Sequence, residues 1–288
     1  MHNIHIGTII SPEQVSWLPT LIDYGFETFS LNFQAGTVYD FPKIARAFKE
    51  ANCKVSNLCM YENALAEGER GEKTRKLWED LIDAAGLFET DIVAGFAGRI
   101  IDKPIPESIG RYKEVFESLS NKARTKKVRL AFENCSMGGD WYKGDWNIAI
   151  NPNAWELMFE ALPADNIGLQ WEPTHQMTQL IDPIPQLRKW VNKIFCLHGK
   201  DANIAWDVIK AQGIDAGTPY VWHRTPGFGD CNWVDIMTIL TLSGFSGTID
   251  IEGYHDPIFK DESEFMGQVY GLKYLKQCRG GDYYANPK

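Results

Sequence analysis

The sequence predicts an α/β protein, a single-domain (β/α)8 barrel of the TIM type spanning residues 1–288. Three observations predict it. Eight short apolar runs alternate with longer segments of helical period. No Pro- or Ser-rich linker and no low-complexity segment divides the chain. Four of the runs end in an acidic residue or a histidine, and a barrel gathers the C-terminal ends of its strands at one face. An open doubly wound sheet is the rival, but the count of eight strands and the placement of those polar residues favour closure. The length, 288 residues, is a little over the typical size of about 250 for an eight-fold barrel.

The predicted strands are residues 4–9, 28–31, 54–58, 91–94, 128–133, 167–171, 193–198 and 248–251. Helices are read between them. Leu77, Leu81, Ile82, Ala85 and Phe88 recur at helical spacing within 72–88. Ile109, Tyr112, Phe116 and Leu119 do so within 108–125, and Phe265, Val269 and Leu272 mark a last helix. Ser11-Pro12-Glu13 and Asn151-Pro152 each set an N-cap type before a proline suited to a first turn. Gly25 and Gly244 are placed as helix C-caps. The segment 203–233 reads as a helix followed by a functional loop, and 135–150 as a second long, tryptophan-rich loop over the same face.

Composition narrows the function. The hydrophobic and charged shares, 44% and 23%, are ordinary for a globular enzyme. A net charge of −9 without a basic stripe argues against nucleic acid as a partner, though not against a local cationic pocket. The six cysteines include no Cys-x-x-Cys pair and several lie in apolar runs, so free thiols are expected. The opening Met1-His2-Asn3-Ile4-His5 lacks the basic-then-apolar pattern of a signal peptide. No run approaches the ~18 apolar residues that span a bilayer, so no membrane is expected and the cytoplasm is the expected location.

The chemistry lies at the strand ends. Leu130-Ala131-Phe132 ends in Glu133, and Ile167 to Trp171 ends in Glu172. Ile194 to Leu197 ends in His198, and Ile249 to Ile251 ends in Glu252. The four stand 39, 26 and 54 residues apart; the first two steps each suit one βα unit, and the third needs a long insertion. Any one glutamate after a strand is ordinarily a solvated loop residue or a helix cap. Four ligand types converging on one barrel mouth need a cation, because crowded carboxylates cannot all stay ionised unaided. Three oxygens and one nitrogen suit Mn2+, Mg2+ or Co2+ better than a thiolate zinc site.

These residues carry a resemblance. Ala131-Phe132-Glu133-Asn134, Trp171-Glu172-Pro173-Thr174-His175, His198-Gly199-Lys200-Asp201, the stretch from Arg224 through Pro226-Gly227-Phe228-Gly229-Asp230 to Trp233, and Asp250-Ile251-Glu252 resemble the xylose isomerase-like barrels, the sugar isomerases and epimerases. The resemblance implies a single metal, commonly manganese, on Glu133, Glu172, His198 and Glu252. It also implies that Glu133 and Glu252 are the catalytic pair, one taking a proton from a carbon next to a carbonyl and the other returning one. The chain departs from the family at Glu172, where aspartate is usual. Relatives are often dimers or tetramers, which makes a homo-oligomer an open expectation.

Further substrate-binding candidates are His175, Lys200, Asp201 and Arg224. His175 follows Glu172 by one helical turn, and Lys200 and Asp201 follow His198; for the latter two a surface ion pair is an equal reading. Arg224 beside Pro226-Gly227 offers a guanidinium fork to an anion or to sugar hydroxyls. His223 and His255 are read as equally suited to an exposed position, and Trp141, Trp146 and Trp222 as loop packing rather than a pocket roof.

Two reactions fit the same residues: a metal-dependent sugar isomerase or epimerase, and a lyase or hydratase acting on a 3-keto-glycoside. The substrate is expected to be a small sugar or keto-sugar. A DNA-repair endonuclease of this fold would need more metal-binding histidines than six, two of them His2 and His5. A non-catalytic sugar-binding barrel would be signalled by loss of Glu133 or Glu252, and both are present.

Overall fold

Each apolar run forms a strand because its alternating residues have two places to go. In Arg129–Glu133, Leu130 and Phe132 face outward into the layer between sheet and helices, while Ala131 and Glu133 face the lumen. Phe132 packs edge-on against Phe116 at 4.7 Å, which fixes the strand's rotation and so the inward aim of Glu133. A computed structural model describes residues 3–281, so the start of the chain lies partly outside the described residues.

The strands are β1 (Ile4–Ile10), β2 (Thr28–Asn32), β3 (Lys54–Met60), β4 (Ile92–Gly95), β5 (Arg129–Glu133), β6 (Ile167–Trp171), β7 (Ile194–Gly199), β8 (Asp201–Ile204), β9 (Val221–Arg224) and β10 (Gly247–Ile251). All eight predicted runs are barrel strands, paired in parallel and closed in the order β1-β10-β7-β6-β5-β4-β3-β2. Helices α1 (Leu18–Tyr24), α2 (Phe41–Glu50), α3 (Gly68–Ala84), α4 (Ile105–Thr125), α5 (Pro152–Ala161), α6 (Pro173–Met177), α7 (Pro183–Trp190), α8 (Trp206–Gln212), α9 (Trp233–Leu242) and α10 (Glu264–Cys278) lie between or after them.

The caps follow the local chemistry. Asn151 accepts from the Ala154 N–H at 3.1 Å to start α5, a contact typically worth about 1 kcal/mol. Gly25, at φ +99°, ends α1. The start marked at Ser11 opens a 3-10 turn over Pro12–Trp17, and the α-helix proper begins only at Leu18.

The segment 203–233 is not simply a helix and a loop. β8 and β9 pair antiparallel, from Asp201 opposite Arg224 to Ile204 opposite Val221, with α8 between them. These strands are four residues each and their partners lie about twenty residues away, so no local period announces them. Asp201 anchors the hairpin, accepting from the N–H groups of Ala202, Gly227 and Cys231. The loop 135–150 is pinned by Arg99, buried, whose guanidinium donates to the carbonyls of Lys103, Asp140 and Trp141.

The lumen is polar toward its base. Asp250 accepts from Thr28 at 3.2 Å, Asn57 at 3.2 Å and Thr248 at 3.3 Å. Gly7 makes the room: a Cβ there would come within 2.4 Å of the Asp250 carboxylate and 2.2 Å of the Thr28 carbonyl. Cys59, Ile92, Ala94, Ala131, Phe195 and Cys196 pack together as a small apolar cluster of their own. All six cysteines are free.

Candidate metal centre

Glu133 closes β5, Glu172 follows β6, His198 lies within β7 and Glu252 follows β10. Their inward period brings one ligand atom from each within 4.8 Å of all the others. His198 Nδ1 is the hub, 2.6 Å from Glu133 Oε1 and 3.5 Å from both Glu172 Oε2 and Glu252 Oε2. Glu172 and His198 are fully buried, Glu133 nearly so, and the Glu252 side chain is 16% exposed.

The extra methylene of Glu172 is accommodated. Asn134 clamps its backbone from both sides, accepting from Glu172 N at 2.7 Å and donating to Glu172 O at 2.9 Å. The carboxylate then reaches His198 with one oxygen and lies 3.3 Å from His175 Nε2 with the other.

The donor set fits a cation. Both carboxylate oxygens of Glu172, Oε2 of Glu252 and Nδ1 of His198 are buried without a hydrogen-bond partner among the described residues. Leaving each such group unpaired costs about 1–3 kcal/mol, so a cluster of them facing one point calls for a ligand. Burial pushes the Glu172 carboxyl up to about 8. Burial opposes a charge on His198 too, yet the three carboxylates raise it well above the ordinary histidine value. Lys200 Nζ lies 3.2 Å from Glu252 Oε2 and, against its burial, is held charged by Glu252 and Glu172. An entering divalent ion would displace the proton that the carboxylates favour on His198 and would ionise Glu172; three carboxylates against the Lys200 ammonium then leave two negative charges for it to balance.

Two residues absent from the sequence-based set complete the centre. His198 Nε2 is 3.2 Å from the Tyr61 hydroxyl, which donates to Gln170 Oε1 at 3.1 Å. With its own proton on Gln170, the hydroxyl accepts from Nε2–H, so Nδ1 is the nitrogen that faces the carboxylates; they favour a proton there, which a cation would displace. Tyr61 follows a run read only as a strand, and no sequence motif pointed to it.

Above the centre opens a cavity of about 730 Å3. Glu133, Glu252, His175 and Lys200 line it. Asp201 and Arg224 do not. Asp201 is spent on the hairpin turn, and Arg224 lies 3.4 Å from Asp256 Oδ2 and donates to Asn203 Oδ1 at 2.6 Å. His223 and His255, unassigned from sequence, line the cavity, with His223 edge-on at 5.8 Å to both His175 and His255. Of the loop 135–150, Cys135, Ser136, Met137 and Gly138 reach the wall. Trp146 instead packs under Arg70 at 4.5 Å, as loop packing requires.

The family model of the xylose isomerase-like TIM barrel matches residues 20–278. The chain belongs to this family. Xylose isomerase-like barrels of solved structure share its architecture across nearly the full length. L-ribulose 3-epimerase is 14% identical with a TM-score of 0.69, over 95% of this chain and 96% of that one. A 3-keto-D-glucoside 4-epimerase from E. coli is 15% identical at 0.72, over 96% and 100%. A D-psicose 3-epimerase from Clostridium cellulolyticum H10, solved with D-tagatose, is 10% identical at 0.69, over 96% and 99%. At these identities the likeness carries the fold. No curated protein matches the chain. No helix among the described residues is long and apolar enough to cross a membrane.

Proposed function

We propose that this chain is a divalent-metal-dependent sugar isomerase or epimerase that moves a proton at a carbon next to a carbonyl. The observation that carries the reading is the pairing of Glu133 and Glu252, two cavity-lining carboxylates 2.6 and 3.5 Å from the same His198 nitrogen in a largely buried cluster of ligand-type groups. Glu133, Glu172, His198 and Glu252 would hold the ion, with manganese the first choice and magnesium or cobalt next. When bound, the ion supplies Lewis-acid polarisation of the substrate's carbonyl oxygen.

The remaining work falls to the chain's own groups. One of Glu133 and Glu252 takes the carbon-bound proton onto a carboxylate oxygen, and the other returns a proton to the planar enediolate. Lys200, fixed beside Glu252, keeps that carboxylate ionised and adds positive charge near the developing oxyanion. His175 presents a neutral imidazole to substrate hydroxyls, since burial and then Lys200 hold it well below the ordinary histidine value.

A second reading uses the same proton abstraction to expel the group β to the carbonyl of a 3-keto-glycoside. The cavity favours keeping it: about 730 Å3 lies in the upper part of the ~300–1,000 Å3 range of pockets that enclose drug-sized ligands. Metal analysis with a D2O exchange screen of ketoses and 3-keto-glycosides decides. One manganese per chain and exchange without loss of a group are the expected result, whereas release of an aglycone or water assigns the lyase. Glu252→Gln should abolish exchange while keeping the fold. Undiminished exchange in that variant would remove Glu252 from the chemistry, and unchanged metal content in His198→Ala would refute the centre itself.

A further inference from the structure

A second group of ligand atoms stands on the same cavity wall. Cys135 Sγ, an imidazole nitrogen of His175 and a carboxylate oxygen of Glu133 all lie within 4.8 Å of one another. Glu133 and His175 are buried, Cys135 is half-buried, and all three line the cavity. Their grouping is built into the backbone. Cys135 follows Glu133 by two residues, and the buried Asn147 amide donates to the carbonyls of both, at 2.7 and 2.8 Å. Asn147 Oδ1 in turn accepts from Ala97 N and Ala149 N, tying this bend to the strand-end loop that follows β4. His175 arrives from α6, three residues after Glu172, whose Oε1 is buried, unpartnered and 3.3 Å from the imidazole.

We propose that Cys135, His175 and Glu133 form a second cation site, selective for a thiophilic divalent ion such as zinc or cobalt, beside the main centre. The donor chemistry separates the two. Three carboxylates and one imidazole make the main centre hard, whereas a thiolate, an imidazole and one carboxylate match the sulfur, nitrogen and oxygen ligands of zinc-type sites. Three protein ligands leave one position open toward the cavity, as in sites where the ion meets water or substrate. On binding, the ion takes the place of the thiol proton, which passes to solvent. An ion held here occupies room that a sugar needs, so zinc inhibits turnover of the manganese-loaded protein. The proposal rests on the reading of the main centre only through the shared Glu133.

Cobalt(II) is the probe, titrated into the full chain and followed by absorption. A sulfur-to-cobalt charge-transfer band is expected in the parent, lost in Cys135→Ser and weakened in His175→Asn. Absence of the band in the parent, or its survival in Cys135→Ser, overturns the proposal, because the other five cysteines are intact in that variant. The band is expected to persist in His198→Ala; its loss there would put the thiolate on the main centre and overturn a separate site. Manganese content, measured on the same variants, falls in His198→Ala and holds in Cys135→Ser. The two sites therefore fail by different readouts.

Discussion

Tyr61 supplies the hydroxyl that bridges His198 of the proposed cation site to Gln170. Its contact with His198 Nε2 at 3.2 Å and its donation to Gln170 keep Nε2 engaged and leave Nδ1 as the nitrogen that a cation would take. Tyr61→Phe keeps the ring and removes the acceptor, so metal affinity should fall by roughly 10–100-fold with little change in fold. Competition with a chromophoric chelator measures it, and an unchanged dissociation constant would mean that packing alone orients His198. At this scale the sequence was legible where residue type and strand position coincide, as for Glu133, Glu172, His198 and Glu252. It was not legible for Tyr61, Asn134 or His223, whose roles depend on which distant residue each one meets. Arg224 is the converse: its motif points to a ligand, but Asp256 and Asn203 hold its guanidinium away from the cavity wall.

Elements are tied to the barrel by a few ion pairs at its base. Arg279, just past α10, donates to Glu27 at 2.6 and 2.9 Å and to the Ile4 carbonyl at 2.6 Å. Burial opposes the charge on Glu27, yet Arg279 and the Ile6 N–H hold its carboxyl down to about 2, against an ordinary 4.5. The folded value lies below the unfolded one, so the tie is at full strength above pH ~4.5 and is lost as pH falls toward 2. Glu27→Gln should therefore lose less stability than the parent between those two pH values, read from urea midpoints. Equal losses would show that α10 is held by its apolar contacts alone. At pH 7, Arg279→Ala should cost about 1.5–3 kcal/mol, the range for hydrogen bonds to a charged group. The hairpin of β8 and β9 belongs to this scale as well. Its strands are too short for a periodic signal, and pairing across α8 makes them strands at all.

For the whole molecule a cation in the proposed centre would also be a stabilising ligand, since it would join the ends of β5, β6, β7 and β10. A cation at a hundredfold excess over its dissociation constant adds about 2.7 kcal/mol. At roughly 2–4 °C per kcal/mol for chains of this order, chelation should lower Tm by about 5–10 °C. A Tm indifferent to chelator would refute a cation at four strand ends. By itself the sequence determined the eight strands, their closure into a barrel and the four ligand-type residues that meet at its mouth, because strand period and strand-end position are local properties of the chain. It did not reach the polar lumen around Asp250, the β8–β9 hairpin, the His198–Tyr61–Gln170 relay or the Cys135–His175–Glu133 cluster. Those depend on contacts between residues far apart in sequence, such as Asn57 and Asp250, and only closure of the barrel brings such residues together.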